Sequence, residues 1–181
     1  MRALDFAARV ARAPALHRQT AASRAIPCRA SSGAAAETSL QPFHLAFPVR
    51  DLDEAREFYG GKLGCPEGRS ADTWVDYSLF GHQIVCHHVK GYSAAASRNA
   101  VDGDPVPVPH WGLALRVDQF HDLAARVRAS GIAFEIEPHL RFKGQPGEQW
   151  TMFFTDDSGN ALEFKAMTNP DNLFAKYHVD C

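Results

Sequence analysis

From residue 42 onward the sequence repeats one pattern of strand, helix and strands, and this repeat limits the fold more than any other feature. In the first copy, residues 42–49 read as a strand and Asp51 as the N-cap of a helix that Gly60, Gly61 and Gly64 should end. Apolar residues recur at helical spacing in that helix, at Leu52, Ala55, Phe58 and Tyr59. Residues 72–80 and 83–89 then read as the two strands of a hairpin.

The second copy follows the same plan. Residues 110–117 read as a strand, Asp118 as the cap of a helix, and Gly131 as the end of that helix. The apolar face of the predicted helix comprises Phe120, Leu123, Ala124 and Val127. Three predicted strands follow, at 133–137, 150–155 and 161–167. The sequence therefore predicts an α+β protein built of two βαβββ modules.

These elements define the predicted domain organisation. The folded domain is expected at 39–168, with module one at 42–90 and module two at 108–168. Residues 91–107, which contain alternating prolines, are predicted to be an extended linker without helix. The irregular stretch 138–148 is predicted to be a loop beside the site, and 169–181 a C-terminal tail.

The first 38 residues differ in composition from the rest. They carry six arginines, two acidic residues and no lysine, which gives a charge of +4. An arginine-rich, acid-poor leader is typical of an organelle transit peptide, so we predict a disordered transit peptide at 1–38. The chloroplast is the favoured destination and the mitochondrion the alternative. A tail that carries no targeting signal is a third possibility.

The charge of the remaining chain excludes some classes of function. Because the whole chain carries −2, residues 39–181 carry −6. So acidic a domain is a poor nucleic-acid binder, since such binding depends on neutralising phosphates. No run approaches the roughly 20 apolar residues of a membrane-spanning helix. We therefore expect a soluble protein that binds neither nucleic acid nor membrane.

Four polar residues stand out within the predicted strands: His44, His87, His110 and Glu163. Side chains alternate along a strand, so His44, His110 and Glu163 should lie on the face opposite the apolar rows, among small residues. His44 and His110 are 66 residues apart, and each opens the first strand of its module soon after a proline. Two imidazoles and a carboxylate suit iron(II), and such sets also suit zinc, manganese or nickel. The pattern predicts a metal site in a cup.

Each histidine taken alone has a simpler explanation, because a strand histidine is more often a hydrogen-bonded structural residue than a ligand. The matched positions in the two copies favour ligation for the set. His87 is the weaker candidate, because His88 adjoins it and either one could face the cup.

The mature sequence resembles the vicinal oxygen chelate superfamily, which includes glyoxalase I, type I extradiol dioxygenases and metal-free antibiotic-binding proteins. The resemblance rests on residues 44–51, Phe58-Tyr59, Leu63-Gly64, residues 80–83 and residues 157–163. It implies two βαβββ modules that form a curved mixed sheet around a divalent metal. It also implies the dioxygenase triad at His44, His110 and Glu163, with the fourth, glyoxalase-type ligand at His87. Residues 137–142 and 147–149 resemble predicted extradiol-type dioxygenases most.

These observations lead to one expected function and two alternatives. The expected function is an Fe(II)-dependent, extradiol-type dioxygenase acting on a small molecule with vicinal oxygens, with His87 as a ligand or a catalytic acid–base group. The alternatives are a glyoxalase- or isomerase-type lyase using Zn, Ni or Co, with Mn also possible, and a metal-free binding protein. The predicted substrate-binding residues are Arg141, Trp74 and Trp150. By analogy with the superfamily, a homodimer is expected.

Overall fold

In the computed structural model of the protein, residues 40–177 are described. The predicted transit peptide at 1–38 and the end of the predicted tail, 178–181, lie outside the described residues. Within 40–177, no helix is long and apolar enough to cross a membrane.

The first module contains a four-stranded mixed sheet and one helical segment. Its strands are β1 (His44–Val49), β2 (Glu67–Ala71), β3 (Trp74–Leu79) and β4 (His82–His88). Their order in the sheet is β1-β4-β3-β2, with β1 parallel to β4 and the other pairs antiparallel. The helix α1 (Leu52–Ala55) continues without a break as a π-helical segment, Arg56–Lys62.

A hairpin and a second four-stranded sheet follow. The hairpin consists of β5 (Ser97–Val101) and β6 (Asp104–Val108). The second module comprises β7 (Trp111–Ala114), α2 (Val117–Ala129), β8 (Phe134–Arg141), β9 (Gln149–Thr155) and β10 (Ala161–Met167). Its strand order is β7-β10-β9-β8, which matches that of the first sheet. A short 3-10 helix, Pro170–Phe174, follows β10.

The prediction of two βαβββ modules in the α+β class is confirmed, and the strands are hydrogen-bonded as two separate mixed sheets. Three details of the prediction were wrong. The first helix continues past Gly60 and Gly61, and of the three predicted stop residues only Gly64, with a φ of 72°, follows its end. Residues 91–107 are not an extended linker, since most of the β5–β6 hairpin lies there. The predicted loop 138–148 begins later, because β8 runs to Arg141.

The caps of the two helices differ from each other. Asp51 caps α1 as predicted, because its carboxylate accepts hydrogen bonds from Asp53 N and Glu54 N, at 2.8 and 3.0 Å. The predicted cap of α2 was wrong, since Arg116 occupies the N-cap position and Asp118 lies inside the first turn. The side chain of Gln119 accepts a hydrogen bond from Arg116 N at 3.2 Å, and Asp118 instead forms an ion pair with the Arg116 side chain.

Both sheets contribute the same kind of face to a single apolar core. Phe47, Val75 and Ile84 of the first sheet belong to one buried cluster with Phe154 and Leu162 of the second. The predicted apolar face of α2 is also buried in this cluster. Because side chains alternate along each strand, the two opposite faces of the sheets point away from the shared core. We call these the outer faces, and they carry the predicted ligands.

A buried polar network joins the two modules. The hydroxyl of Tyr59, in the π-helical segment, donates to Asp156 Oδ2 at 2.8 Å. The Asp156 carboxylate also accepts from the backbone N–H groups of Ser158 and Asn160 and from Asn160 Nδ2. Asn160 Nδ2 also donates to the Pro48 carbonyl at 3.0 Å. The turn between β9 and β10 is therefore held against β1 and the first helix.

Candidate metal centre

Two of the four predicted ligands meet on the outer face of the second sheet. His110 immediately precedes β7, and Glu163 lies in β10, paired with Gly112 of β7. The distance between His110 Nε2 and Glu163 Oε2 is 3.1 Å. Only glycine fits at position 112, because a Cβ there would overlap the carbonyl group of Glu163. The close approach of β7 and β10 therefore depends on Gly112 and brings the imidazole next to the carboxylate.

Neighbouring groups orient both side chains. The Nδ1 atom of His110 lies 2.6 Å from the Pro107 carbonyl, which can only accept a hydrogen bond. Nδ1 therefore carries a proton, and Nε2 is the atom that faces the carboxylate. The Thr151 hydroxyl donates to Glu163 Oε1 at 3.0 Å, which leaves Oε2 directed at His110. Hydrogen bonds of this kind usually fix the orientation of metal ligands.

The pair also shifts the pKa values of its members. The hydrogen bond to Glu163 raises the pKa of His110 above its ordinary value, although partial burial opposes this. Burial alone would raise the pKa of Glu163, but His110, Lys165 and Thr151 together lower it. Lys165 Nζ lies 3.9 Å from Glu163 Oε2. Without a metal, the two residues therefore favour a charged imidazolium–carboxylate pair.

The arrangement of the pair suits a divalent cation. A separation of 3.1 Å is close to that of neighbouring donor atoms that each lie roughly 2.1 Å from one shared ion. The two ligand atoms are an imidazole nitrogen and a carboxylate oxygen, which suit iron, zinc, manganese and nickel. A cavity of about 230 Å³ adjoins the pair, lined by the pair itself, Lys165 and residues 111–114.

His44 lies on the outer face of the first sheet. It is exposed, and its neighbours in β1 alternate as predicted, with Phe47 and Val49 buried and Ala46 exposed. Its Nδ1 atom lies 2.7 Å from Gln83 Oε1. Among residues 40–177, no cluster of three or more metal-ligating side chains is present. A single chain therefore brings together His110 and Glu163 and leaves His44 on a different outward face.

The structure contradicts the placement of His87 beside the other ligands. His44 is paired with Gln83 in the parallel register of β1 and β4, whereas His87 is paired with Pro48. Four residues along a strand span roughly 13 Å, far beyond two coordination bonds. In the second module, Glu163 pairs with Gly112, which lies two residues after His110. The equivalent residue of the first module is Val85, which pairs with Ala46, two residues after His44. The first module therefore has an apolar residue where the second has a carboxylate.

The three predicted substrate-binding residues lie in three different environments. Trp150 contacts His121 and Phe120 of α2, on the face opposite Glu163, so its prediction as a cup residue was wrong. Trp74 is on the outer face of the first sheet, but it pairs with His87 and is as far from His44 as that residue. Arg141 is on the outer face of the second sheet, buried, with its Nη2 donating to Asp104 Oδ2 at 2.5 Å.

The β5–β6 hairpin forms one wall of the second outer face. Val106 of the hairpin packs in a small buried cluster with Ile136 and Phe153. Asp104 of the hairpin contacts both His139 and Arg141 of β8. The ring of Phe153 also contacts His110, with 5.2 Å between the ring centroids. The segment predicted as a linker therefore shields the His110–Glu163 pair from one side.

Two mixed sheets of matching strand order around one shared core define a class of two-module α+β folds. Comparison with known proteins identifies the family: the chain belongs to the Glyoxalase/Bleomycin resistance protein/Dioxygenase superfamily, whose profile matches residues 41–164. A search of curated proteins found no match.

Solved structures agree with this assignment. A glyoxalase/bleomycin resistance protein/dioxygenase from Alicyclobacillus acidocaldarius is 34% identical, with a TM-score of 0.64, and the match covers 74% of this chain and 96% of that one. The fosfomycin resistance protein FosX from Listeria monocytogenes is 17% identical, with a TM-score of 0.54, over 74% and 98% of the two chains. A mutant form of FosX was solved with Mn(II) and 1S,2S-dihydroxypropylphosphonic acid; it is 18% identical, with a TM-score of 0.54, over 75% and 95%.

Several residues of the site were missed in the sequence. Lys165 alternates with buried residues in β10 and lies two residues from Glu163, so the strand period could have placed it on the same face. Thr151 is itself buried in a strand whose residues are mostly buried, so burial alone did not mark it. Gln83 could not be found in this way, because its position opposite His44 depends on the register between β1 and β4. No sequence signal marks the Pro107 carbonyl as the partner of His110.

Proposed function

We propose that the protein is a metal-dependent enzyme that acts on a small molecule with two vicinal oxygens, and that its reaction is an oxygenation. The observation that carries this proposal is the 3.1 Å contact between His110 Nε2 and Glu163 Oε2. Each side chain has a further hydrogen-bond partner that directs it toward the other. A bound divalent cation would supply Lewis acidity, which lowers the pKa of a bound hydroxyl and orients the reactants.

We propose that a second copy of the chain completes the site. His44 faces away from the shared core, as do His110 and Glu163 on the other sheet, so the three cannot converge within one chain. In a homodimer, the outer face of the first sheet of one copy would cover the outer face of the second sheet of the other. His44 of the second copy would then supply the third ligand. This symmetrical arrangement gives two equivalent sites per dimer.

The ligand count favours oxygenation over the lyase alternative. A set of two histidines and one carboxylate leaves positions open for a chelating substrate and for O2, and it is typical of non-haem iron(II) oxygenases. The glyoxalase-type alternative depends on a fourth ligand, predicted at His87, which the register places roughly 13 Å from His44. Fe(II) is therefore the proposed metal, with Mn, Zn, Ni and Co as alternatives.

Two cationic side chains are proposed to bind the substrate. Lys165 lies beside Glu163 and lines the cavity, where its ammonium group can attract a deprotonated substrate oxygen. Arg141 is buried near Phe153, and its Nε atom has no hydrogen-bond partner in the described part of the chain. An anionic substrate group could pair with the Arg141 guanidinium, which Asp104 holds in place.

The first experiment tests the metal and the reaction together. The protein is purified anaerobically, its metal content is measured, and oxygen uptake is recorded with a panel of catechols and 2-oxo acids. We expect about one Fe(II) per chain and oxygen uptake that Glu163→Gln abolishes. Isomerisation of the methylglyoxal–glutathione adduct without oxygen uptake would support the lyase alternative. Absence of metal, together with ligand affinity that His110→Ala leaves intact, would support the metal-free binding protein.

The second experiment tests whether two copies share each site. His44→Ala and His110→Ala, each expected to lose metal binding on its own, are refolded together as a mixture. Random pairing gives about half heterodimers, each with one intact site of two, so roughly a quarter of the wild-type metal binding should return. A mixture that binds no more metal than either variant alone would contradict the shared site. Mixing His110→Ala with Glu163→Gln is the control, because both changes affect the same sheet.

We also propose that residues 1–38 direct the protein to the chloroplast, with the mitochondrion as the alternative. The proposal rests on the arginine-rich, acid-poor composition of this segment. A fusion of residues 1–38 to a fluorescent protein should accumulate in plastids, and a fusion of residues 39–181 should not. Accumulation in mitochondria would support the alternative, and a diffuse signal from the first fusion would contradict targeting.

A further inference from the structure

A chain of hydrogen bonds runs from His44 into the first sheet. Gln83 Oε1 lies 2.7 Å from His44 Nδ1, and Gln83 Nε2 donates to Asp76 Oδ2 at 2.8 Å. The direction of every bond in this chain follows from Asp76. A carboxylate only accepts hydrogen bonds, so the end of the Gln83 amide that contacts it must be the NH2 group. The carbonyl end therefore faces His44.

This direction determines which tautomer His44 adopts. A carbonyl oxygen also only accepts, so the proton of a neutral His44 ring must be on Nδ1. Nε2 is then left with its lone pair, which is the form of the ring that binds a metal. A neutral His110 ring has the same tautomer for a different reason, since the Pro107 carbonyl accepts from its Nδ1. The two modules therefore present the same imidazole nitrogen to a ligand.

Asp76 is itself held in place by several groups. Its side chain is only 6% exposed, and both Arg69 N and the Arg69 guanidinium donate to it. The pairing of β2 with β3 shifts register between Glu67 and Ser70, which brings the Arg69 backbone toward the carboxylate. A Cβ at Gly68 would overlap Asp76 Oδ1, so this approach requires glycine. The buried carboxylate is thus a fixed end for the hydrogen-bond chain.

We propose that Gln83 and Asp76 are positioning residues that hold His44 in the tautomer with a free Nε2. The inference rests on the proposed function only in taking His44 to be a metal ligand. The evidence for the inference is the order of the hydrogen bonds. The buried Asp76 carboxylate orients the Gln83 amide, and that amide orients the His44 imidazole. Both residues would act through His44, because Gln83 contacts its Nδ1 atom and Asp76 contacts Gln83. In this respect they resemble the hydrogen-bonded partners that commonly support metal-ligating histidines.

The decisive variant is Asp76→Asn, which replaces an obligate acceptor with a group that can also donate. The amide oxygen of the new side chain would keep the hydrogen bond from Arg69 N, so its NH2 group would take the place of Oδ2. There it would displace the exposed Arg69 guanidinium, face Gln83 and reverse the glutamine amide. Gln83 Nε2 would then donate to His44 Nδ1 and move the ring proton to Nε2. The ¹⁵N shifts of His44 in the metal-free full chain, recorded near pH 9 where ordinary imidazoles are neutral, report this tautomer directly. An unchanged tautomer in Asp76→Asn would overturn the proposal.

A second variant keeps the test valid if Asp76→Asn does not fold. Gln83→Leu leaves the contacts between Asp76 and Arg69 intact and removes only the acceptor for His44 Nδ1. We expect a mixture of His44 tautomers and a loss of Mn²⁺ affinity of about 10- to 100-fold. Ser78→Ala is the matched control, because Ser78 is exposed and pairs with Gln83 across β3 and β4. Gln83→Leu with wild-type tautomer and affinity would overturn the proposal.

The two readouts separate this inference from the proposed function. The tautomer is measured without metal, so a reversed tautomer in Asp76→Asn supports the positioning role whether or not the protein binds Mn²⁺. Wild-type protein that shows the expected tautomer but binds no Mn²⁺ would contradict the proposed function alone. A purely structural role for Asp76 would lower the melting temperature of Asp76→Asn but would not move the proton of His44.

Discussion

The contact between His110 and Glu163 leads to a specific pH dependence of metal binding. Nε2 of His110 must lose its proton before it can bind a metal, and the hydrogen bond to Glu163 raises the pKa of His110. A metal ion therefore competes with a proton up to a pH above the ordinary imidazole value. Below the pKa of His110 in the metal-free protein, release of the His110 proton alone should raise Mn²⁺ affinity about tenfold, or roughly 1.4 kcal/mol, for each pH unit.

Calorimetric titration with Mn²⁺ between pH 5.5 and 8.5 measures this slope. Titrations in two buffers with different heats of ionisation count the protons released, and about one per metal is expected near pH 6.5. Glu163→Gln should weaken binding at every pH and move the break in the curve to lower pH, because the group that raises the pKa of His110 is gone. His121→Ala, which removes a histidine from the surface of α2, should change neither. An affinity independent of pH below 7 would refute the reasoning.

Without metal, the same pair should influence the stability of the fold. The raised pKa of His110 contributes stability that is fully present below the ordinary imidazole pKa and is lost as the pH rises through the folded value. The lowered pKa of Glu163 contributes stability that is present above the ordinary carboxyl pKa and is lost as the pH falls through the folded value. The metal-free protein should therefore gain most from this pair between roughly pH 4.5 and 6.5. Chemical denaturation of the wild type and His110→Ala across this range measures the difference.

Three further predictions concern packing around the site and between the modules. Gly112→Ala should reduce Mn²⁺ affinity at least tenfold in a titration, because the Cβ of the new alanine would overlap the Glu163 carbonyl. Gly60→Ala is the control, since its Cβ would lie at an ordinary contact distance of 3.6 Å from Tyr77 Cε1. Tyr59→Phe should lower the free energy of unfolding by about 1.5–3 kcal/mol, since it removes a hydrogen bond to a buried carboxylate, and a melting curve unchanged from wild type would contradict this. Asp104→Asn should accelerate amide exchange at 97–108, because it removes the charge that pairs with β8, whereas wild-type exchange rates would show that the hairpin is held by other contacts.

Local periodicity explains which parts of the fold could be predicted. The apolar spacing of α2 and the alternation in β10 are set by residues close in sequence, and both elements were found, β10 with its bounds intact. The outward direction of His44 and Glu163 follows from the same alternation. Elements without a buried face were missed. All five residues of β2 are exposed, so its sequence carries no alternation of apolar and polar residues.

The β5–β6 hairpin was missed for a different reason. Pro105 and Pro107 cannot donate to a strand ladder, and they favoured an extended linker. In the structure, this proline-containing strand is an edge strand of a two-stranded sheet, where donors are needed on one side only. Asp102 and Gly103 form its turn with positive φ angles of 48° and 84°, which favours a hairpin turn of this hand. An Asp-Gly pair was therefore a turn signal that the prolines obscured.

The error over His87 has a long-range cause. The sequence comparison aligned the last strand of each module by its distance in sequence from the leading histidine. That distance does not fix the register, because the connection between two parallel strands can vary in length. Only the register of β1 with β4 shows that Val85 corresponds to Glu163 and that Gln83 lies opposite His44. Because a strand advances roughly 3.3 Å per residue, a two-residue error moves a side chain about 7 Å along the same face. After a two-residue error, alternation still places the side chain on the correct face of the sheet. It therefore cannot reveal that the side chain has moved along the strand.

The duplicated fold also explains why the ligands are divided between faces. Each module has one sheet face that is apolar and must be buried, and the two modules bury these faces against each other around their helices. The opposite faces are then directed outward, and the module that retains a single ligand, His44, cannot form a metal site with its own residues. The module with two ligands, His110 and Glu163, has a pair but no third donor. The proposed site with three ligands therefore requires the outer face of another copy, so under this proposal dilution that separates the copies should release the metal and lower activity together. Metal retained by a protein that sedimentation shows to be monomeric would contradict this dependence.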